Sequence, residues 1–575
     1  MQQGNEYDRM RAEKNAAFTY IGSGEPGGKA SGLAFIKDTL DSRFPQNRFQ
    51  SMAVTIPTMT VLLTDVFDSF MSLNNLYEVA YSDLPDERIA HEFQKADLPS
   101  TIVGDLLSLI SAIHTPLAVR SSSLLEDAVH APFAGVYETK MIPNNQFNAA
   151  ARFQKLVEAV KFVYASTYFK NARDYCRAIG KSIRDEKMAV IIQEVVGRRH
   201  GDRFYPAISG VVRSYNFYPV GSAPREEGVV NLALGLGKTI VEGGRTWMYS
   251  PRYPQIPPPY NSINDLLKQT QTDFWAVNMG PPPEYDPVKE TEYLLSCFLR
   301  DAEKDGILRF LCSSYDMDSD RLSMGIAGRA PRLVDFSPVL QGECIPLNAL
   351  IEELLLLAEE KTGGRVEIEF ALTLDPSFKE QPRLGFLQVR PMAVSDQCVT
   401  INKQSIPADD LIVFSKNVLG NCSFEDVRDI VYVKPDVFTP ADTLQMAAEI
   451  EAINRELSKA GRSYVLIGFG RWGSSDPWLG IPVAWSQISG ARVIVEGTLP
   501  EMNPDLSQGS HFFHNITSLG IPYFSIDGAQ AGTINWNWLN KQPAVSELQY
   551  IRHVRRPSGL HIKVNGKTGC GVVIK

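Results

Sequence analysis

Arg365-Val366-Glu367-Ile368-Glu369-Phe370-Ala371 and Gly385-Phe386-Leu387-Gln388-Val389-Arg390-Pro391 read as two successive β-strands. Side chains alternate along an extended chain, so Glu367 and Glu369 share one face, as do Gln388 and Arg390. If the strands pair, two carboxylates, a carboxamide and a guanidinium converge. Such a set offers oxygen ligands to Mg²⁺ and a cation to nucleotide phosphates. Standing alone, it would equally suit a solvated antiparallel face with crossed charges.

Three upstream segments bear on the choice. Gly27-Gly28-Lys29-Ala30-Ser31-Gly32-Leu33 is a glycine turn feeding a helix over Ser31 to Leu40. Glycines let backbone N–H groups approach an anion, and Lys29 adds a point charge; a plain turn is the alternative. Leu117 to Ser123 is a strand that delivers Arg120 into a hydroxyl-rich turn. Glu126-Asp127 and the small-residue loop Phe133-Ala134-Gly135-Val136-Tyr137-Glu138-Thr139 follow. Arginine's rigid fork suits polyphosphate and the Ala-Gly loop would close over it, unless Arg120 merely pairs with Glu126 or Asp127. Asn231 to Lys238, ending in Gly243-Gly244, is by itself only a GxG turn.

Together and in this order, these segments resemble the nucleotide-binding domain of the phosphoenolpyruvate synthase and pyruvate, phosphate dikinase family. Its GGKG–L turn, VRSSAxxED…FAGxxET stretch, VVVQxMV…SGV pair, GLGE loop and DIEWA…ILQARP finish correspond to five stretches here. They are Gly27 to Leu33, Val119 to Thr139, Val190 to Val196 with Ser209 to Val211, Gly235 to Gly243, and Glu367 to Pro391. The resemblance covers roughly residues 16–395 and implies an ATP-grasp fold, with ATP between two α/β lobes. It further implies that Lys29, Arg120 and Arg390 hold ATP phosphates and that Gly135 belongs to the loop over the nucleotide. Glu369 and Gln388 would bind Mg²⁺, with Glu367 at the nucleotide or metal. Two residues depart from the pattern: Lys238 replaces the glutamate of GLGE, and Glu367 replaces an aspartate.

The rest of the chain narrows the class. A charge of −9 at pH 7 gives no global field for nucleic acid or anionic membrane, so an anionic ligand must be met by a few placed residues. Seven scattered cysteines without a CxxC fit neither a zinc module nor a disulfide framework. The polar N-terminus and the lack of any apolar run near about 18 residues point to a cytoplasmic protein without a membrane span. The amphipathic pattern predicts a helix over Phe147 to Ile179. Residues 251–290, with Pro257-Pro258-Pro259 and Pro281-Pro282-Pro283, read as an inserted surface excursion.

The expected architecture is α/β (α+β). An ATP-grasp domain over 1–395 is followed by a smaller α/β domain over 396–575, with a helix from Pro440 to Ala460 that Thr439 would cap. Family members continue with a swivelling domain whose histidine carries the phosphoryl group. The run Gly509-Ser510-His511-Phe512-Phe513-His514, leading to Gly520-Ile521-Pro522, keeps that histidine's spacing and follows an apolar strand, Ala491 to Val495. His511 is therefore the candidate nucleophile and His514 its rival, against a merely structural histidine pair. Gly468 to Trp478, rich in Gly and Trp, suits either an acceptor site or a tight aromatic turn.

The family's phosphoenolpyruvate/pyruvate barrel has no counterpart in this sequence. The expectation is an ATP- and Mg²⁺-dependent phosphotransferase of the dikinase kind, with an unidentified acceptor. The alternatives are an ATP-binding regulatory relative that transfers nothing, and one chain of a split dikinase whose partner carries the barrel.

Overall fold

The computed structural model describes residues 18–44, 52–126, 135–219, 224–258, 260, 262–377, 379–392, 394, 399–401, 406–474, 476–498, 511–526 and 532–575. Asp127, Phe133, Ala134, Pro259, Ser475, Gly509, Ser510 and Cys398 lie outside them. The architecture is mixed α/β, and its first part is of the ATP-grasp type.

Two sheets frame the first part. The five-stranded one runs, in spatial order, Phe18–Ile21, Met59–Leu62, Met188–Glu194, Leu117–Ser123 and Thr139–Ile142. The six-stranded one runs Trp247–Tyr249, Val229–Ala233, Ile208–Arg213, Val366–Thr373, Arg383–Pro391 and Ala53–Thr55. Both are built from buried β-branched and aliphatic runs, such as Ala189, Val190, Ile191 and Ile192. The helix Gly27–Arg43 packs on Leu117–Ser123 of one sheet and on Arg383–Pro391 of the other. Lys29 and Arg120 thereby reach the inter-sheet space.

The decisive strands pair antiparallel, with Glu367 opposite Arg390 and Glu369 opposite Gln388. A bulge follows between Glu369 and Phe370. Bulges re-aim neighbouring side chains and concentrate next to functional sites.

Among the described residues, strands 411–574 form a five-stranded, a seven-stranded and a two-stranded sheet. In the seven-stranded one, Asp429–Val433, Tyr464–Phe469, Ala491–Gly497 and Tyr523–Ile526 run parallel. The helix His511–Ser518 lies between the last two in the chain. Phe513 and Ile516 of this helix share an apolar core with Tyr215, Phe217 and Tyr218, so the two parts of the chain are packed together.

Three local expectations are corrected. The helix expected over Phe147 to Ile179 is two helices, Ala149–Ser166 and Lys170–Ala178. Ser166 turns its hydroxyl to the Val163 carbonyl and accepts the Glu138 N–H, while extended Phe169 redirects the chain. Thr439 does not cap the helix Thr443–Lys459: its hydroxyl meets the Asp442 side chain, and a short 3₁₀ turn, Pro440–Asp442, intervenes. The proline-rich stretch is no mere surface excursion. Asp273–Asn278 within it is an inner strand of a four-stranded sheet, with Phe274, Ala276 and Val277 buried.

Candidate functional site

A cavity of about 450 Å³ lies between the two sheets and is closed on one side by the last third of the chain. Lys29, Arg120, Gly135, Glu369, Gln388 and His511 all line it. Glu367 and Arg390 do not.

Lys29 sits in the first turn of its helix and is 8% exposed. Its Nζ donates to Glu126 Oε1 at 2.7 Å and to Ser121 Oγ at 3.1 Å. The preceding turn demands glycine: Gly27 has φ +74°, and a Cβ there would lie 1.7 Å from the Ser122 carbonyl oxygen. Among the described residues Arg120 makes no ion pair with Glu126, and Asp127 lies outside them. It donates to Gln388 Oε1 at 2.8 Å and to Gln193 Oε1 and the Leu387 carbonyl, each at 3.2 Å, and lies 3.5 Å from Glu369 Oε2. Glu369 and Gln388 thus present oxygens side by side on the cavity wall, beside a guanidinium.

Glu367 is a buried charge hub. Arg213 Nε donates to it at 2.5 Å and Arg390 Nε at 2.7 Å, and all three side chains are about 2% exposed or less. Burial opposes ionisation, but Arg390 and Arg213 outweigh it and hold the carboxyl well below its usual range. Arg390 also reaches Glu369 Oε1 at 3.2 Å.

His511 begins its helix and faces Gly135, which has φ +62°; a Cβ on Gly135 would meet the His511 Nδ1 at 2.4 Å. Burial, with Arg390 and Lys29 nearby, holds the His511 imidazole well below its ordinary pKa, so its neutral form dominates at pH 7. His514, one turn on, does not line the cavity. It is 4% exposed, with Nδ1 at 3.7 Å from Glu367 Oε2.

Sequence reasoning missed a second charged set on the same wall. Lys238 donates to Glu290 Oε2 at 2.8 Å and pairs with Glu242 Oε1 at 2.5 Å, and Glu138 lies alongside. Burial, together with the charge of Glu290, pushes the Glu138 carboxyl up to about 7. The departure at Lys238 was the available signal; Glu290 lay in the segment discounted as a loop. Part of the Gly468 to Trp478 segment contacts the first part of the chain. Arg471 donates to the Gly243 carbonyl at 3.2 Å, as does Ser474 Oγ at 3.3 Å, and Trp472 is buried.

A Mg²⁺ ion would suit Glu369 and Gln388, both hard oxygen donors in adjacent register. Among the described residues no cluster of three or more His, Cys, Asp or Glu side chains is poised for a metal. The ion would rest on these two and on the nucleotide's own oxygens. No helix among the described residues is long and apolar enough to cross a membrane.

The chain is 26% identical over 191 residues to an uncharacterized phosphotransferase of Bacillus subtilis, covering 33% of this chain and 20% of the relative. It is 29% identical over 157 residues to the rifampicin phosphotransferase of Streptomyces sviceus, covering 27% and 16%. A phosphoenolpyruvate synthase of Aeropyrum pernix is 29% identical over 136 residues, covering 24% and 14%. The chain therefore matches only a fifth or less of these relatives' lengths. The pyruvate phosphate dikinase AMP/ATP-binding domain profile, in contrast, matches residues 24–408. About two thirds of the sequence falls within that match, and the chain belongs to the pyruvate phosphate dikinase AMP/ATP-binding domain family.

Proposed function

We propose that this protein is an ATP- and Mg²⁺-dependent phosphotransferase of the dikinase kind, in which His511 accepts a phosphoryl group from ATP. One observation carries the reading. His511, from the last third of the chain, lines the same cavity as Lys29, Arg120, Glu369 and Gln388 from the ATP-binding part.

Lys29 and Arg120 would hold the phosphates, exchanging part of their present bonding to Glu126 and Gln388 for the ligand. Glu369 and Gln388 would hold Mg²⁺, which neutralises charge on the phosphoryl group in flight. The lone pair of the neutral His511 ring attacks phosphorus, and the N-terminus of its helix favours the group it then carries. The family resemblance implies that the β-phosphoryl is kept and the γ leaves as phosphate, so AMP should accumulate.

The test is incubation with β-labelled ATP. The parent and His514→Ala should take up alkali-stable, acid-labile label, and His511→Ala should not. An unlabelled parent that still binds ATP would favour a regulatory role. Label lost only in His514→Ala would move the acceptor one turn along the helix.

A further inference from the structure

A second hollow, of about 770 Å³, opens on the helix Lys170–Ala178, and among the described residues it shares no lining residue with the nucleotide cavity. Its other walls are the stretch from Tyr81 to Asp86 and the turn that leads into Ile183–Asp185. It borders the seam between the two parts of the chain. Lys170 reaches Glu451 of the last third at 3.1 Å, and its helix packs on Trp485–Ile488. The volume is that of a small-molecule site.

Local sequence explains how cations gather there. Arg173 and Arg177, four apart, share a helix face. Gly180, with φ +70°, then ends the helix: its N–H bonds to the Arg177 carbonyl and that of Lys181 to the Cys176 carbonyl. The reversed chain returns Lys181 and Arg184 to the same hollow.

The resulting charge is opposite to the protein's own. The chain carries −9, yet here Lys170, Arg173, Arg177, Lys181 and Arg184 meet only Asp83, Asp86 and Asp174, a surplus of two. Two of these acids are engaged. Asp174 accepts from Lys170 at 3.0 Å and from Arg177 at 2.6 Å. Asp86 accepts the Lys170 backbone N–H at 2.7 Å and lies 3.9 Å from Arg173. Lys181 and Arg184 make no ion pair among the described residues. Arg184 lies over the Tyr81 ring, 4.7 Å from its centroid, a contact that restrains the guanidinium without using its N–H donors.

We propose that this hollow binds a small phosphate ester, with the phosphate on Lys181 and Arg184. A doubly charged phosphate matches the surplus of two, and arginine's fork fits its oxygens. The organic body would lie on Leu84, Pro85 and Ile183, with its hydroxyls toward exposed Asp83. Inorganic phosphate would leave most of the volume unfilled. A nucleic acid or an anionic bilayer would meet the repulsion of the whole chain. The site needs neither ATP turnover nor a phosphohistidine.

Glycerol 3-phosphate, ribose 5-phosphate and glucose 6-phosphate are the probes. Each is titrated against the full chain saturated with Mg²⁺ and a non-hydrolysable ATP analogue, and binding is read from ³¹P line broadening. At least one ester should bind about tenfold more tightly than inorganic phosphate, and glucose should not compete with it. The double variant Lys181→Gln with Arg184→Gln should lose about tenfold in that affinity while its melting temperature and its affinity for the analogue stay as in the parent. Lys181→Glu, which reverses one charge, should weaken the ester at least as far. No binding by any ester, inorganic phosphate equalling all three, or ester affinity that survives both variants overturns the proposal. Displacement of the ester by the analogue would place it in the nucleotide cavity and overturn it as well. Labelling of His511 is not read at any step, so these outcomes are separate from those that test the phosphotransfer reading.

Discussion

His514 Nδ1 stands 3.7 Å from Glu367 Oε2. One side chain belongs to the helix that opens with His511, the other to the strand that carries Glu369. Glu367 therefore joins the docked helix to the arginine pair of the ATP-binding part. It is buried and does not line the cavity.

Glu367→Gln should accordingly act mainly on folding. Two arginines would be left facing a neutral amide in a buried site, and breaking such a pair costs about 3 kcal/mol or more. The denaturation midpoint of the variant should fall markedly, and Glu367→Asp should recover part of the loss. Equal stability of parent and Gln variant would show that the hub carries no net energy.

Lys29→Ala and Arg120→Ala should each weaken ATP at least tenfold, about 1.4 kcal/mol, because each removes a charge-assisted phosphate contact. Calorimetry checks this directly. Parent-like affinity in both would remove these two residues from the nucleotide site.

The sequence made the pairing of the two decisive strands legible because period-two alternation fixes which residues share a face. It could not fix depth. Glu367 and Glu369 face the same way, yet Arg213, from the neighbouring strand in register with Glu367, covers only the first. Nothing local announces that partner, or His514. The buried strand Asp273–Asn278 was masked by flanking prolines for a related reason: punctuation residues are read locally, while one of the strands beside it, Arg203–Tyr205, is distant in sequence. The second charged set on the cavity wall likewise draws Glu138, Lys238 and Glu290 from three separate segments, and only the fold assembles them.

Glu369→Gln should remove Mg²⁺-dependent turnover while leaving the melt nearly unchanged. Glu369 sits at the cavity edge with its side chain 13% exposed, and on the proposed reading its charge would serve the metal more than the core. A large drop in melting temperature with turnover retained would return it to a purely structural ion pair with Arg120 and Arg390.

Glu138 gives stability a pH dependence of known sign. Its carboxyl is raised from about 4.5 to about 7 by burial and Glu290, with Glu242 and Asp86 adding and Lys238 opposing. The folded state thus binds this proton more tightly than the unfolded one. The associated stability is full below the unfolded value and is lost as pH rises toward and through 7. Glu138→Gln removes the titration, so its melting temperature relative to the parent should rise between pH 5 and pH 8. A flat difference across that range would mean that Glu138 ionises normally.

Gly135 offers the sharpest separation of nucleotide binding from transfer. Its positive φ is strained for any L side chain, and a methyl group there would lie 2.4 Å from His511 Nδ1 and 2.6 Å from its Cβ, inside any allowed contact. Either the loop or the histidine must shift, and phosphoryl transfer tolerates little displacement: an error of about 1 Å can cost about a hundredfold. Lys29, Arg120, Glu369 and Gln388 stand on the helix and strands of the ATP-binding part, and the three atoms nearest that methyl group all belong to His511. Gly135→Ala should therefore bind ATP within a fewfold of the parent by calorimetry and lose at least tenfold in the rate of β-phosphoryl labelling at His511. Labelling at the parent rate would mean that the docked arrangement seen here, with His511 against Gly135, is not the one in which transfer occurs.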